Sequence, residues 1–173
     1  MPPPQGSRKP PSAGAPRLLI GIDPGTQKAG WGIVEARGLA LRLVACGVLQ
    51  TPARAEMSVR LRAIFEELEA ILARHRPEAA GLEETFAGNN PKSAIAMGQG
   101  RGVALLALAR AGVPVTSLAP NEIKKAVTAN GLAGKDLVAK MVCARLGLAA
   151  PPEPSDVTDA LAAAIALAQR LPQ

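Results

Sequence analysis

Aromatic residues are scarce in this 173-residue chain, which has two Phe, one Trp and no Tyr. A hydrophobic content of 48% must therefore be met by Ala, Leu and Val, enough for one good core in a single globular domain. There is one histidine, His75, at the end of a charged helical stretch, where a surface position is expected. The two cysteines, Cys46 and Cys143, lie far apart in apolar stretches and read as buried free thiols. These counts argue against a zinc site or a Cys-His catalyst. No run approaches the ~18 consecutive apolar residues of a membrane span. Residues 1–16, MPPPQGSRKPPSAGAP, hold no apolar block and many prolines, so they are read as a disordered extension rather than a signal peptide. The expected location is the cytoplasm.

What is present is positive charge and patterned apolar sequence. The chain carries +6 with a pI near 9.9. Setting aside Arg8 and Lys9 of the extension leaves +4, a modest excess that points to an anionic partner. Lys124, Lys125, Lys135 and Lys140 are grouped late in the chain.

The apolar periodicity predicts strands over Arg17–Asp23, Gly30–Ala36 and Leu39–Leu49, joined as an antiparallel meander. A helix follows over Glu56–Arg76, with Val59, Leu61, Ile64, Phe65, Leu68, Ile71 and Leu72 close to one stripe and Pro77 ending it. Strands at Ala79–Glu84 and Val113–Leu118 alternate with helices at Pro91–Ala111, Pro120–Thr128, Lys135–Leu146 and Ser155–Leu171. The order βββ-α-β-α-β-α-α-α requires parallel crossovers, so the expected fold is α/β: a mixed sheet flanked by helices. No internal repeat is present.

Four acids stand where such a chain could aim them together. Asp23 closes the first strand in LLIGIDPG, where Asp-Pro-Gly could equally be a plain strand-ending turn. Glu83 lies near the end of the fourth strand, and its neighbour Glu84 is an equal candidate on the residues alone. Asp156 and Asp159 share one face in the first turn of the last helix, where they could instead complement the helix dipole behind a Ser155 cap. Each acid alone has an ordinary structural explanation. All of them together, with basic residues nearby and no histidine cluster, suit hard divalent cations such as Mg²⁺ and a phosphodiester substrate. Without metal the clustered acids should raise one another's pKa.

The stretches GIDPGTQKAGWG, LEETFAGNNPKSAIAMGQGRGVA, APNEIKKAVTANGLAGKDLVAKMV and SDVTDALAAAIA resemble, in order and spacing, the RuvC family of Holliday-junction resolvases, members of the ribonuclease-H-like superfamily. The resemblance covers almost everything from Arg17 to Ala168. It implies a ribonuclease-H-like fold with a five-stranded mixed sheet over residues 17–173. It also implies paired, symmetric, metal-dependent hydrolysis of four-way DNA junctions in recombination and repair, giving 5′-phosphate and 3′-hydroxyl nicks.

By the same resemblance Asp23, Glu83, Asp156 and Asp159 are both catalytic residues and ligands of two Mg²⁺ or Mn²⁺ ions, which selects Glu83 over Glu84. Lys124, Lys135 and Phe86 are implied DNA contacts, Phe86 by stacking on an unpaired base, although it could be a core residue covering the strand end. The helix carrying Gly98, Gly100 and Gly102 is the implied homodimer interface, where tight packing on the sheet is the alternative. A branch-migration motor of the RuvA–RuvB kind is an implied partner. Two other readings stand beside this one: a related nuclease acting on RNA or RNA–DNA hybrids, and an actin-like ATP-binding protein with a GIDPGT…GWG phosphate hairpin. The second needs two such domains, and the chain has room for one.

Overall fold

The computed structural model describes residues 15–84 and 91–171. Its elements are β1 (Arg17–Asp23), β2 (Lys28–Arg37), β3 (Ala40–Gln50), α1 (Met57–His75), β4 (Ala79–Glu83), α2 (Pro91–Arg110), β5 (Val115–Leu118), α3 (Pro120–Thr128), α4 (Lys135–Leu146) and α5 (Ser155–Arg170). The five strands form one mixed sheet in the order β3-β2-β1-β4-β5. β1 pairs antiparallel with β2 and β2 with β3, while β1 and β4, and β4 and β5, run parallel. This is the expected α/β architecture.

Each face of the sheet is covered by helices, as parallel crossovers demand. On one face α1 contributes Ile64, Leu68 and Leu72, and α2 contributes Ala104, Ala107 and Leu108, against Ile20, Ile22 and Leu82. Val59, placed in that stripe from the sequence, is instead 46% exposed, because at about 100° per residue it points to the helix face opposite Ile64, Leu68 and Leu72. His75 is half-buried, its ring tilted 6.1 Å from the Trp31 ring, so the helix end folds back toward β2. Both cysteines are free, Cys143 buried as expected and Cys46 only half-buried on the edge strand.

The other face is covered mainly by α5, and its packing sets up the site. Strands alternate faces with period two, so Gly21 and Asp23 of β1 share a face, as do Gly81 and Glu83 of β4. Gly21 sits opposite Gly32 of β2 and Gly81 of β4, and Asp23 opposite Gly30. These glycines form a trough with no side chains. A Cβ at Gly21 would strike the Ala160 carbonyl, one at Gly30 the Asp156 carbonyl and one at Gly32 the Leu161 side chain. The alanine-rich α5 lies in that trough, with Ala160 to Leu167 all buried. Small residues on both partners permit backbone-to-backbone approach, while Leu161, Ile165 and Leu167 supply the larger apolar burial, about 1.5–3 kcal/mol each at most. Every residue of the trough is a constraint on where α5 begins.

Candidate active site

β1 and β4 run parallel, so their C-terminal ends emerge side by side at the same edge of the sheet. Asp23 and Glu83 are the last residues of these two strands. Because Glu83 shares its face with Gly81, it is directed to the α5 side, whereas Glu84 falls beyond the strand with its N–H donated to the Leu118 carbonyl at 2.9 Å. Strand parity thus makes the choice that the residues alone left open.

The third acid arrives from α5. With α5 seated in the glycine trough, Asp159 reaches the same cavity of about 300 Å³ as Asp23 and Glu83, lined also by Lys124, Lys135, Ile123 and Val138. Asp156 does not line this cavity; it lies one turn earlier, half-buried, with its backbone carbonyl packed on Gly30. It still acts through its charge, which helps raise the Asp23 pKa. Ser155 is not the cap suggested from sequence. Pro154 occupies that position without a side-chain cap, and Ser155 is the first helical residue.

Both lysines come from the short helices α3 and α4. The N-terminus of α3 is fixed by the Glu122 carboxylate, which accepts the Ala119 N–H at 3.0 Å, and Lys124 follows half a turn later, half-buried. Lys135 opens α4 and donates to Asp159 Oδ2 at 3.3 Å. With the lysine side chain 76% exposed, this pair contributes at most about 1 kcal/mol. Its position, between acids and solvent, matters more than its strength.

The electrostatics are those of a crowded acid site. Burial first, then the charges of Glu83, Asp159 and Asp156, push the Asp23 carboxyl up to about 7, against a smaller opposing effect of Lys135. Glu83 is raised by burial and by Asp159, opposed by Lys135 and Lys124. Lys135 is raised chiefly by the charge of Asp159 and its hydrogen bond to it. Among the described residues no three or more His, Cys, Asp or Glu side chains are drawn together tightly enough to hold a metal ion as they stand. The acids raise one another's pKa through their charges, and a divalent cation among them would relieve that repulsion. The donor set, carboxylate oxygens without sulfur or imidazole, fits a hard cation of the Mg²⁺ type.

Two features of the site were missed in the sequence. One is the glycine trough, whose signal was the alternate-residue glycines in LLIGID, GWG and AAGLE. The other is the buttress beneath the Asp23 turn. The Thr51 hydroxyl donates to the Thr26 carbonyl at 2.7 Å, and Gly100 of α2 packs directly on the Gly25 carbonyl. Gly100 is therefore a packing residue on the turn. Gly98 and Gly102 face open space, on one stripe with the exposed Ile95 and Leu106. Phe86 lies outside the described residues, as does most of the N-terminal extension.

The model of the family described as crossover junction endodeoxyribonuclease RuvC matches residues 19–167. A RuvC of Chloroflexus aggregans is 48% identical over 153 residues, 88% of this chain and 93% of that protein. One from Anaeromyxobacter sp. (strain K) is 48% identical over 148 residues, 86% of this chain and 78% of the relative. Among solved structures, T. thermophilus RuvC in complex with Holliday junction substrate superposes with a TM-score of 0.83 at 37% identity, covering 87% of this chain and 92% of that one.

Proposed function

This chain belongs to the RuvC family of crossover junction endodeoxyribonucleases, a ribonuclease-H-like hydrolase that resolves Holliday junctions, and we propose that Asp23, Glu83, Asp156 and Asp159 are the acids with which it does so. The observation that carries the assignment is the convergence of Asp23, Glu83 and Asp159 with two lysines on one cavity at the sheet edge. The acids would hold divalent cations, two Mg²⁺ or Mn²⁺ per site, which supply a polarised water and charge neutralisation at the departing oxygen. Asp23 and Glu83, held on strand ends, would fix the donor positions, and Asp159 and, one turn earlier, Asp156 would complete the set from the helix.

Hydrolysis joins the oxygen of water to phosphorus and breaks the bond to the 3′ oxygen, leaving a 5′-phosphate and a 3′-hydroxyl that a ligase can seal. Lys124 and Lys135 stand where their ammonium groups can contact the scissile phosphate, drawing it onto the acids and offsetting charge built up as the bond breaks. Phe86, just past the Glu83 strand end in sequence, stacks on a base unpaired at the branch point.

The exposed stripe Ile95, Gly98, Gly102 and Leu106 on α2 supports a homodimer with two sites for two symmetric cuts. Residues 17–173 form the nuclease domain and residues 1–16 an extension. The setting is cytoplasmic recombination and repair, beside a branch-migration motor; among the described residues no helix is long and apolar enough to cross a membrane.

The test is a synthetic four-way junction incubated with Mg²⁺ or Mn²⁺. Paired nicks by the parent, absent with Asp23→Asn, are expected. Cleavage of RNA–DNA hybrids in preference to the junction would replace the substrate assignment.

A further inference from the structure

The loop between α3 and α4, Ala129 to Gly134, carries a leucine that the catalytic assignment does not use. Leu132 is 92% exposed, yet the loop under it is firmly built. The Asn130 side-chain carbonyl accepts the Leu132 N–H at 2.9 Å, the Asn130 main-chain carbonyl accepts the Ala133 N–H at 3.2 Å, and the Thr128 hydroxyl accepts the Asn130 N–H at 3.1 Å. Ala133, next in sequence, is only 2% exposed and anchors the loop in the core. The backbone is thus pinned on both sides of an apolar side chain that touches solvent almost everywhere.

Exposed leucines are ordinary, and Leu39 at the β2–β3 hairpin tip, 90% exposed, is one. Position separates the two. Leu132 is three residues before Lys135, which lines the cavity with Asp23, Glu83 and Asp159, and its loop is the direct continuation of α3, which brings Lys124 to the same cavity. Lys125 and Lys140 lie on the same two helices and add to their positive charge. A nucleic-acid strand drawn onto Lys124 and Lys135 would run close to the loop that carries this leucine. Apolar side chains, Leu among them, are used by DNA-bending proteins as wedges between base steps. Where the arms of a branch point are unstacked, the base pairs there lack a stacking partner on one side, so insertion costs less than in a continuous duplex.

We infer that Leu132 is a wedge that packs against a base at the branch point beside the scissile phosphate and helps the enzyme discriminate a junction from linear duplex. It is a positioning and specificity residue, and this role rests on the junction-cleaving function proposed above.

The experiment compares the parent with Leu132→Ala, Leu132→Phe and, as control, Leu39→Ala. The readouts are Mg²⁺-dependent cleavage of a four-way junction, affinity for that junction and for linear duplex in Ca²⁺, and fluorescence of 2-aminopurine placed at the branch point. Leu132→Ala should lose roughly tenfold in junction affinity, the scale of a half-buried leucine, with duplex affinity unchanged and a smaller 2-aminopurine signal. Leu132→Phe should retain both, and Leu39→Ala should match the parent. Equal junction affinity and equal fluorescence for Leu132→Ala, with the parent active, overturn the wedge alone. A parent that cuts no junction overturns the function and the wedge with it.

Discussion

The two central strands, β1 and β4, end in opposite ways. At their N-terminal ends Arg17 and Glu78 carry opposite charges, with Nε 3.4 Å from Oε2, and Glu78 also donates its backbone N–H to the Leu18 carbonyl at 2.7 Å. At their C-terminal ends Asp23 and Glu83 are like charges in one cavity, both raised in pKa by burial and by other acids. The same pair of strands therefore has a matched end and a repelling end. The repelling end costs stability in the isolated chain, and the catalytic role proposed for these acids accounts for Asp23, Glu83 and Asp159 meeting in one cavity with Asp156 a turn away. Strain of this kind concentrates where function is.

The sharpest way to break the contrast is to remove one acid. Asp23→Asn or Glu83→Gln should lower junction cleavage by at least about a thousandfold, measured in single-turnover gels, while junction affinity in Ca²⁺ stays within a few-fold. Similar residual cleavage would mean the repelling end is not catalytic. Next comes the trough that positions Asp156 and Asp159. In Gly30→Ala the new Cβ would collide with the Asp156 carbonyl, so α5 must shift and cleavage should fall about a hundredfold. A variant that stays folded by circular dichroism yet cuts at the parental rate would show that the helix start is not critical.

Lys124→Ala should slow cleavage about tenfold, with a shallower salt dependence of junction binding. The smallest effect belongs to the matched end. Arg17→Ala should cost at most about 1 kcal/mol in urea unfolding and leave cleavage unchanged. The pair is an ion pair by distance, with Arg17 Nε lacking a hydrogen bond, so a larger loss would point to the packing of the arginine stem.

Much of this could be read in the sequence, and the parts that could not have a common cause. Strands and helices were legible because apolar periodicity is a local property, and α3 and α4 start and stop at the predicted residues. The strand-end position of Asp23 and the shared face of Asp156 and Asp159 at the helix start were legible from element ends and helical spacing, while only Asp159 of that pair lines the cavity. The preference for Glu83 over Glu84 came only through family resemblance, although strand parity from Gly81 would have made it. The trough was not legible. Its glycines are separated by up to sixty residues and acquire meaning only when the sheet register sets Gly21 between Gly32 and Gly81. Val59 was misplaced although helical spacing already sets it opposite Ile64, Leu68 and Leu72, whereas the Ser155 cap was misread because Pro154 takes that position.

The central claim is that the site end is strained by converging acids until a cation joins them. It is tested most directly by unfolding free energy against pH for the metal-free parent and for Asp23→Asn. A carboxyl raised to about 7 in the folded state, against an ordinary value of 3.8, binds its proton more tightly when folded. The contribution of Asp23 to stability should therefore be full near pH 4 and lost as pH rises to about 7, by at most about 4 kcal/mol, with Glu83 adding in the same sense. Asp23→Asn should flatten this slope and be the more stable protein at pH 8, and Mg²⁺ should stabilise the parent there more than the variant. Parallel pH profiles for the two proteins, with no gain from Mg²⁺, would contradict the account.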